Sequence, residues 1–153
     1  MESMEVVLDV YGRPHKVLVP DLVKIGEDTS NDDICKQPGH YAFYAAALAD
    51  VRSRRDAAAQ ALKDKRAEEE IKFRKVADDC QIKTTEAKIA AQVELHPDVQ
   101  KWKAHLLILE GGAGKLDAIV RSFEHRKEML ITLGANMRTD VEKGAAPSIR
   151  RKS

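Results

Sequence analysis

Basic side chains that could bind phosphate groups recur along a stretch with no helix-breaking residue. They are Arg52, Arg54, Arg55, Lys72, Arg74 and Lys75, with Arg126 and Lys127 much further along the chain. Arg and Lys donate charge-assisted hydrogen bonds to phosphate oxygens. On a helix, only some of the cations have a counter-charge four positions ahead, as Arg52 has Asp56, and we interpret the others of the first group as freer to contact phosphate. The alternative is an ordinary, solvated helix surface laced with salt bridges.

A glycine-rich segment suggests a second kind of phosphate site, but its spacing is wrong. Gly111-Gly112-Ala113-Gly114-Lys115 has Leu109 where a phosphate-binding loop needs its first Gly, and Leu116 where it needs Ser or Thr. Glycine lacks a β-carbon, so three of them in a helix either kink it or let another backbone approach closely. We favour close helix packing as the reason for these glycines.

The remaining reactive side chains do not form a catalytic or metal-binding pattern. The histidines are His15, His40, His96, His105 and His125, and none of them has a metal-ligand spacing to another. Cys35 and Cys80 lie far apart without a CxxC motif, so neither a disulfide framework nor a zinc site is expected. We therefore predict a protein that is not an enzyme and has no cofactor or metal.

Composition favours long helices and a location in the cytoplasm. The 153 residues are 43% hydrophobic, 33% charged and only 5% aromatic. No apolar run approaches the roughly 20 residues that cross a bilayer, and the acidic N-terminus does not resemble a secretion signal. Residues 1–38 hold eight acidic and four basic side chains, whereas residues 121–153 hold four acidic and eight basic. This polarity suits a polyanion or head-to-tail contact between subunits.

The pattern of residues divides the chain into three regions. Residues 1–38 are predicted to form a β-hairpin with its turn at Gly12-Arg13-Pro14, followed by a polar linker over 26–39. Residues 39–141 are predicted to form a long-helix hairpin that also drives oligomerisation, with helices over 40–79, from Thr84 as N-cap to Glu94, and from Pro97 to about 140. Residues 142–153 are predicted to be a flexible basic tail.

A heptad pattern in the last helix predicts a coiled-coil seam. Steps of three and four residues place apolar side chains on one face, among them Trp102, Leu106, Leu109, Leu116, Val120, Phe123 and Leu130. A weaker seam runs through Tyr44, Leu48, Val51, Ala58 and Leu62, and resumes at Phe73, Val76 and Cys80. The predicted fold is mainly α: an antiparallel, coiled-coil-like helical hairpin with a small N-terminal β-hairpin, assembling into a homo-oligomer. Trp102 belongs to this seam or, alternatively, stacks on a nucleic-acid base.

The last helix resembles a known family. It is similar to recombination mediator proteins of the UvsY type from tailed bacteriophages. The residues that carry the similarity are Trp102, the Leu106-Leu107 pair, the small residues 111–114 and the string Leu116-Asp117-Ala118-Ile119, followed by Ser122 and Arg126-Lys127. The segment Tyr41 to Ala49 is also similar to the start of their first helix. The resemblance covers about residues 40–140 and consists of a helical pattern and a four-residue string.

The resemblance implies a protein that binds single-stranded DNA and forms a closed homo-oligomeric ring. Such a mediator helps load a RecA-like recombinase onto DNA covered by single-strand-binding protein. Under this interpretation the basic residues above contact DNA, and Arg121, Arg150, Arg151 and Lys152 are rival candidates. The alternative is a coiled-coil scaffold, chaperone or adaptor of phage assembly that does not bind nucleic acid.

Overall fold

The computed structural model describes residues 5–18, 23–25, 31–142 and 144 and is mainly helical, as predicted. The strands are β1 (Glu5–Val10) and β2 (Arg13–Leu18), and the helices are α1 (Asn31–Asp79), α2 (Glu86–Leu95) and α3 (Pro97–Glu142). The predicted tail lies outside the described residues, except for the end of α3 and Gly144.

The β-hairpin has a tighter turn than the sequence indicated. β1 and β2 pair antiparallel, and Val10 lies opposite Arg13. Tyr11 and Gly12 alone form the turn, with φ values of 52° and 77°. Two-residue turns with positive φ at both positions match the natural twist of paired strands. Gly12 therefore serves the turn as predicted, whereas Arg13 and Pro14 belong to β2.

Helix α1 begins at Asn31, so the predicted linker extends too far along the chain. The helix continues through Pro38 and Gly39, the residues that we interpreted as its boundary. Proline removes a helical hydrogen bond and normally interrupts a helix. Tertiary contacts on the same turns oppose that cost: the Gln37 Nε2 group donates to the Phe123 carbonyl at 3.2 Å, and the Tyr41 hydroxyl donates to Glu124 at 3.2 Å. Residues 26–30 of the predicted linker lie outside the described residues.

The N-termini of α2 and α3 follow local capping rules. Thr85, rather than Thr84, caps α2: its hydroxyl accepts from the Lys88 backbone N–H at 3.4 Å. Pro97 begins α3, as predicted, because the first helical position needs no N–H donor. The His96 carbonyl accepts from the Gln100 N–H at 3.0 Å and closes the first turn.

The chain divides into two compact units. We call residues Met1–Leu48 with Lys115–Ser153 the terminal unit, and residues Ala49–Gly114 the central unit. In the terminal unit, the Phe123 ring stacks on the Tyr44 ring with centroids 5.8 Å apart. Leu116 of α3 and Leu8 of β1 are buried in the same unit. The apolar faces of α1, α3 and the sheet thus supply the core of this unit.

The core of the central unit joins α1, α2 and α3. Its buried cluster consists of Leu62, Ile89, Val93 and Val99, with Phe73, Trp102 and Leu106 packed against it. Trp102 is therefore part of the core, as the first of its two interpretations stated. Val76 and Cys80 are exposed, so the weaker seam of α1 does not resume beyond Phe73.

The glycine-rich segment does not mediate close packing within the chain. A β-carbon at Gly111 or Gly114 would have no described atom within 4 Å, and one at Gly112 would lie 3.8 Å from Val51 Cγ1, an ordinary contact. The close-packing interpretation therefore fails inside this chain, since a β-carbon at Gly111 or Gly114 would point into open space and one at Gly112 would meet α1 at an ordinary distance. Leu107 and Ile108 on the same helix are each 70% exposed.

Among the described residues, no helix is both long and apolar enough to span a membrane.

Two neighbouring leucines on α3 provide a matched test of this packing. Leu109 is 4% exposed and Leu107 is 70% exposed. Leu109→Ala should lower the free energy of unfolding by about 2–5 kcal/mol, because it leaves a cavity in a packed core. Leu107→Ala should lower it much less, because it opens no cavity in the packed core of the chain. Urea denaturation of both variants checks this, and equal losses would contradict the orientation of α3.

Candidate nucleic-acid interface

The predicted cations of α1 lie on the surface of the central unit, but acidic neighbours hold them. Arg54 Nη1 lies 3.8 Å from Asp50 Oδ2. The Arg55 guanidinium binds Asp56 Oδ1 through Nη2 at 2.6 Å and Nε at 2.9 Å. Arg52 is exposed and also has an interaction partner. The first half of the row is therefore partly neutralised within the chain.

The second half of the row is paired in the same way. The Lys72 ammonium binds Glu68 and lies 2.9 Å from Glu69. Arg74 Nη2 lies 2.6 Å from Glu70 and 2.8 Å from Glu86 of α2, which raises the pKa of Arg74 through the Glu86 hydrogen bond.

The expectation that these cations lack helical counter-charges is therefore wrong for Arg54, Lys72 and Arg74. Their partners lie four residues behind them, at Asp50, Glu68 and Glu70, rather than four ahead. Residues i−4 and i+4 are equally close on a helix, so both directions count.

Most of these ion pairs are exposed to solvent, and this exposure determines how much they contribute to stability. The side chains of Arg74 and Glu70 are 49% and 42% exposed. Exposed pairs contribute little to stability because water screens both charges. A phosphate can therefore replace such a carboxylate at little cost. Lys75 is exposed and has no ion pair with the described part of the chain.

Arg126 and Lys127 are adjacent in sequence but differ in environment. Arg126 is 7% exposed, and its Nε has no hydrogen-bond partner among the described residues. Lys127 is exposed and lines a groove in the terminal unit. Consecutive helical residues point about 100° apart, which explains the difference. Only Lys127 of this pair is presented to solvent.

The residues predicted for the seam are mostly turned inward. Leu109, Leu116, Val120 and Phe123 are buried, whereas Trp102, Leu106 and Leu130 are partly buried. Ile119 is buried as well, although the heptad count omitted it. Much of the seam therefore packs within a single chain.

An ionic cluster around Glu69 was not visible in the sequence. Glu69 is 4% exposed, and its carboxylate lies 3.0 Å from Lys65 Nζ and 3.5 Å from His96 Nε2. Lys65 Nζ also lies 3.5 Å from Asp98 Oδ2. Hydrogen bonds from Lys72 and Lys65 lower the pKa of Glu69, and the bond to Glu69 raises that of Lys65. The cluster links α1 to the start of α3.

Glu69, His96 and Asp98 could together hold a metal ion, since their ligand atoms lie within 4.8 Å of one another. Two observations disfavour this use. The Lys65 ammonium already supplies a positive charge between both carboxylates. In addition, His96 Nδ1 accepts from the Asp98 backbone N–H at 3.3 Å, so a neutral His96 keeps its proton on Nε2, the atom that faces Glu69. The arrangement is that of an ion-pair cluster.

The groove that Lys127 lines is mostly apolar. It has a volume of about 620 Å³ and is lined by Gln37, Pro38, Tyr41, Phe123, Glu124, Lys127, Leu130 and Ile131. The Glu124 hydrogen bond raises the pKa of the Tyr41 hydroxyl. Sequence reasoning missed Gln37 because Pro38 and Gly39 suggested a linker there, and it placed Tyr41 at the start of a helix without a role in a site. The helical spacing of residues 37, 41 and 44 could have indicated a shared face.

Comparisons with known proteins give no family assignment. No family model, no curated protein and no solved structure matches the sequence.

The ionic cluster predicts a pH-dependent stability difference. The pKa of Glu69 is lowered below its usual 4.5, so its ionised form stabilises the fold at neutral pH. That stability is lost as pH falls through the lowered pKa. Glu69→Gln should therefore lower Tm at pH 7, and its difference from wild type should shrink below about pH 4. Thermal melts across this range test the prediction.

Glu110 on α3 is a matched control. It is exposed and has no ion pair with any described residue. Glu110→Gln should leave Tm nearly unchanged at every pH. A difference between Glu69→Gln and wild type that persists in acid would show that the lost stability is not electrostatic.

Proposed function

We propose that this chain is a homo-oligomeric recombination mediator that binds single-stranded DNA. It would help to load a RecA-like recombinase onto DNA covered by single-strand-binding protein. The observation that carries the proposal is the row of cations on α1, held by counter-charges that are mostly exposed. The resemblance of α3 to mediators of the UvsY type gives this surface its assigned role.

The row consists of two groups of cations, Arg52 to Arg55 and Lys72 to Lys75, which point to more than one side of α1 because consecutive helical residues lie about 100° apart. From Arg52 to Lys75 it extends about 35 Å at 1.5 Å per helical residue. Each phosphate that binds there releases counterions from DNA, so affinity should fall steeply with salt. To bind phosphate, Arg74 exchanges its ion pairs with Glu70 and Glu86 for a phosphate contact. Lys75 has no ion pair with a described residue and needs no such exchange. Lys127 adds a cation on the terminal unit.

We further propose that α1 and α3 form an antiparallel, coiled-coil-like hairpin and that several copies close into a ring. The order of contacts in the central unit supports the hairpin: Val51 lies near Gly112, whereas Lys65 lies near Asp98. The exposed Leu107 and Ile108, beside glycines without neighbours, support contact with another chain. Exposed apolar residues in a continuous patch are typical of such interfaces.

A ring would strengthen weak phosphate contacts by avidity. Once one copy binds a strand, the other copies face it at a high effective concentration. A strand wrapped on several basic rows would be bent or stretched, which weakens the grip of a single-strand-binding protein. The exposed strand could then be transferred to the recombinase.

The pairing of the cations within the chain also favours a second candidate. A scaffold or adaptor of phage assembly would keep Arg54, Arg55, Lys72 and Arg74 in their ion pairs. It would use the exposed apolar residues for assembly and would not bind nucleic acid. DNA binding separates the two candidates.

Two double variants test the DNA-binding surface: one removes the charges of Arg54 and Arg55, and the other removes the charges of the carboxylates that pair with them. Arg54→Gln with Arg55→Gln should weaken binding of single-stranded DNA and reduce the slope of log affinity against log salt by about 0.7 per lost phosphate contact. Asp50→Asn with Asp56→Asn removes the negative charges of two carboxylates that pair with the same arginines and should strengthen binding. Fluorescence anisotropy over a salt series measures both.

The opposite signs make this test specific. A general loss of folding would weaken binding in both double variants. No binding by wild type at low salt would exclude the mediator and leave the scaffold. Preference for duplex over single-stranded DNA would also contradict the proposal.

The exposed apolar pair on α3 is the place to test assembly. Leu107→Ser with Ile108→Ser should lower the molar mass in solution, because it removes apolar area from the proposed contact without opening the core. Affinity for long single strands should fall with it. Light scattering measures the mass, and circular dichroism checks that helicity is retained. An unchanged mass would place the contact elsewhere on the chain.

A further inference from the structure

Helix α3 has a second apolar face, opposite the face that packs within the chain. We call it the outer face, and its members are exposed and follow one another at helical spacing: Ala104, Leu107, Ile108, Gly111 and Gly114. At about 100° per residue they lie across the helix from the buried Leu109 and Ala113. A helix that is apolar on both sides is normally covered on both sides. The chain itself covers one of them.

The two glycines of the outer face have no role inside the chain. After proline, glycine is the least favourable residue in a helix interior. A β-carbon at Gly111 or Gly114 would have no described atom within 4 Å, and neither glycine has a positive φ. Neither a turn nor an internal contact therefore accounts for them. Glycine does allow another backbone to approach closely, and here that backbone must come from outside the chain.

The charges beside the outer face are complementary to those of a second copy. Lys101 and Lys115 lie along one edge of the face, and Glu110 lies along the other. All three are exposed and have no ion pair with a described residue. In two parallel helices opposite edges meet, so that a residue lies near the fifth residue further along its neighbour. Glu110 of each copy then lies beside Lys115 of the other, whereas antiparallel helices would bring like charges together.

We infer that the outer face of α3 packs in parallel on the same face of a second copy, with the two backbones closest at Gly111 and Gly114. The inference rests on the proposed function and deepens it, because it names the partner and the geometry of the contact made by Leu107 and Ile108. Such a contact is two-fold and closes at two copies, so a ring built on it contains an even number of chains.

The ion pairs and the apolar residues have different roles in this contact. Exposed ion pairs contribute little to stability, so the pair of Glu110 with Lys115 selects the parallel orientation and the register. The affinity comes from the apolar area of Leu107 and Ile108, each of which is 70% exposed in the single chain. A helix of a different protein is the competing occupant. The match between the two edges of one helix favours a second copy, because a foreign helix would supply its own charges.

The first test compares the glycines of the outer face with the glycine between them that faces α1. Gly111→Ala and Gly114→Ala should each weaken self-association about tenfold, because the added methyl group separates the two backbones. Gly112→Ala is the matched control, since it changes helix propensity equally but places its β-carbon 3.8 Å from Val51 within the chain. It should leave self-association unchanged. Sedimentation equilibrium of the full chain over a concentration series measures this, and circular dichroism checks that helicity is retained.

The second test determines the orientation of the two helices by cross-linking. Cys35 and Cys80 are free and exposed, so both are first replaced by serine. In that background Leu107→Cys should form a disulfide between copies on oxidation, because a parallel pair places the two introduced thiols opposite each other. An antiparallel crossing at the glycines would place each of them opposite Ala118, about 16 Å away along the helix. Ile71→Cys, exposed on α1, gives the level of random collision.

Each result bears on the inference in a definite way. Unchanged association in Gly111→Ala and Gly114→Ala, an equal loss in Gly112→Ala, or cross-linking of Leu107→Cys no faster than that of Ile71→Cys overturns the inference. So does a complex with an odd number of chains. The proposed function stands in these cases if wild type still associates and binds single-stranded DNA. A wild type that is monomeric at every concentration overturns both the inference and the proposed homo-oligomer, whereas a dimer that forms no larger complex supports the inference and contradicts the ring.

Discussion

Packing of the Phe123 side chain against the first turns of α1 is the interaction on which the terminal unit depends. The ring stacks on Tyr44 and His40, and its backbone carbonyl accepts from Gln37. These contacts keep α1 helical through Pro38, where local preference alone would end the helix. They also place Gln37 and Tyr41 beside α3, which creates the groove. One buried aromatic residue thus packs against the turns of α1 on both sides of Pro38 and lies at the wall of the groove.

The ion pairs of the chain differ in what they contribute to the fold, according to their burial. Around Glu69, which is largely buried, lysines and His96 hold α1 against the start of α3. Further along α1, the pairs of Arg54, Arg55 and Arg74 lie at the surface and contribute little to stability. Exchange of their carboxylates for phosphates would therefore not endanger the fold. The proposed DNA-binding row depends on that separation between structural and exchangeable ion pairs.

Periodicity identified the elements of this protein better than it identified their surfaces. The spacing of Leu109, Leu116 and Phe123 correctly indicated one apolar face of a long helix, because burial on a helix must repeat every three or four residues. The same spacing did not reveal whether that face packs within one chain. For the cations, counting only the residues ahead of each of them missed Asp50, Glu68 and Glu70. For the glycines, sequence alone did not show that Gly111 and Gly114 face away from α1.

The sequence by itself determined the helices, the β-hairpin and the separation of apolar from charged faces, because propensity, turn chemistry and periodicity are local. Only the tertiary structure decided that Arg126 is buried while Lys127 is exposed, and that Glu69, His96 and Asp98 meet. It also decided that Pro38 lies inside a helix and that the Gln37 amide donates to the Phe123 carbonyl. These features arise from contacts between residues far apart in sequence, whose strength depends on burial and distance rather than on residue type.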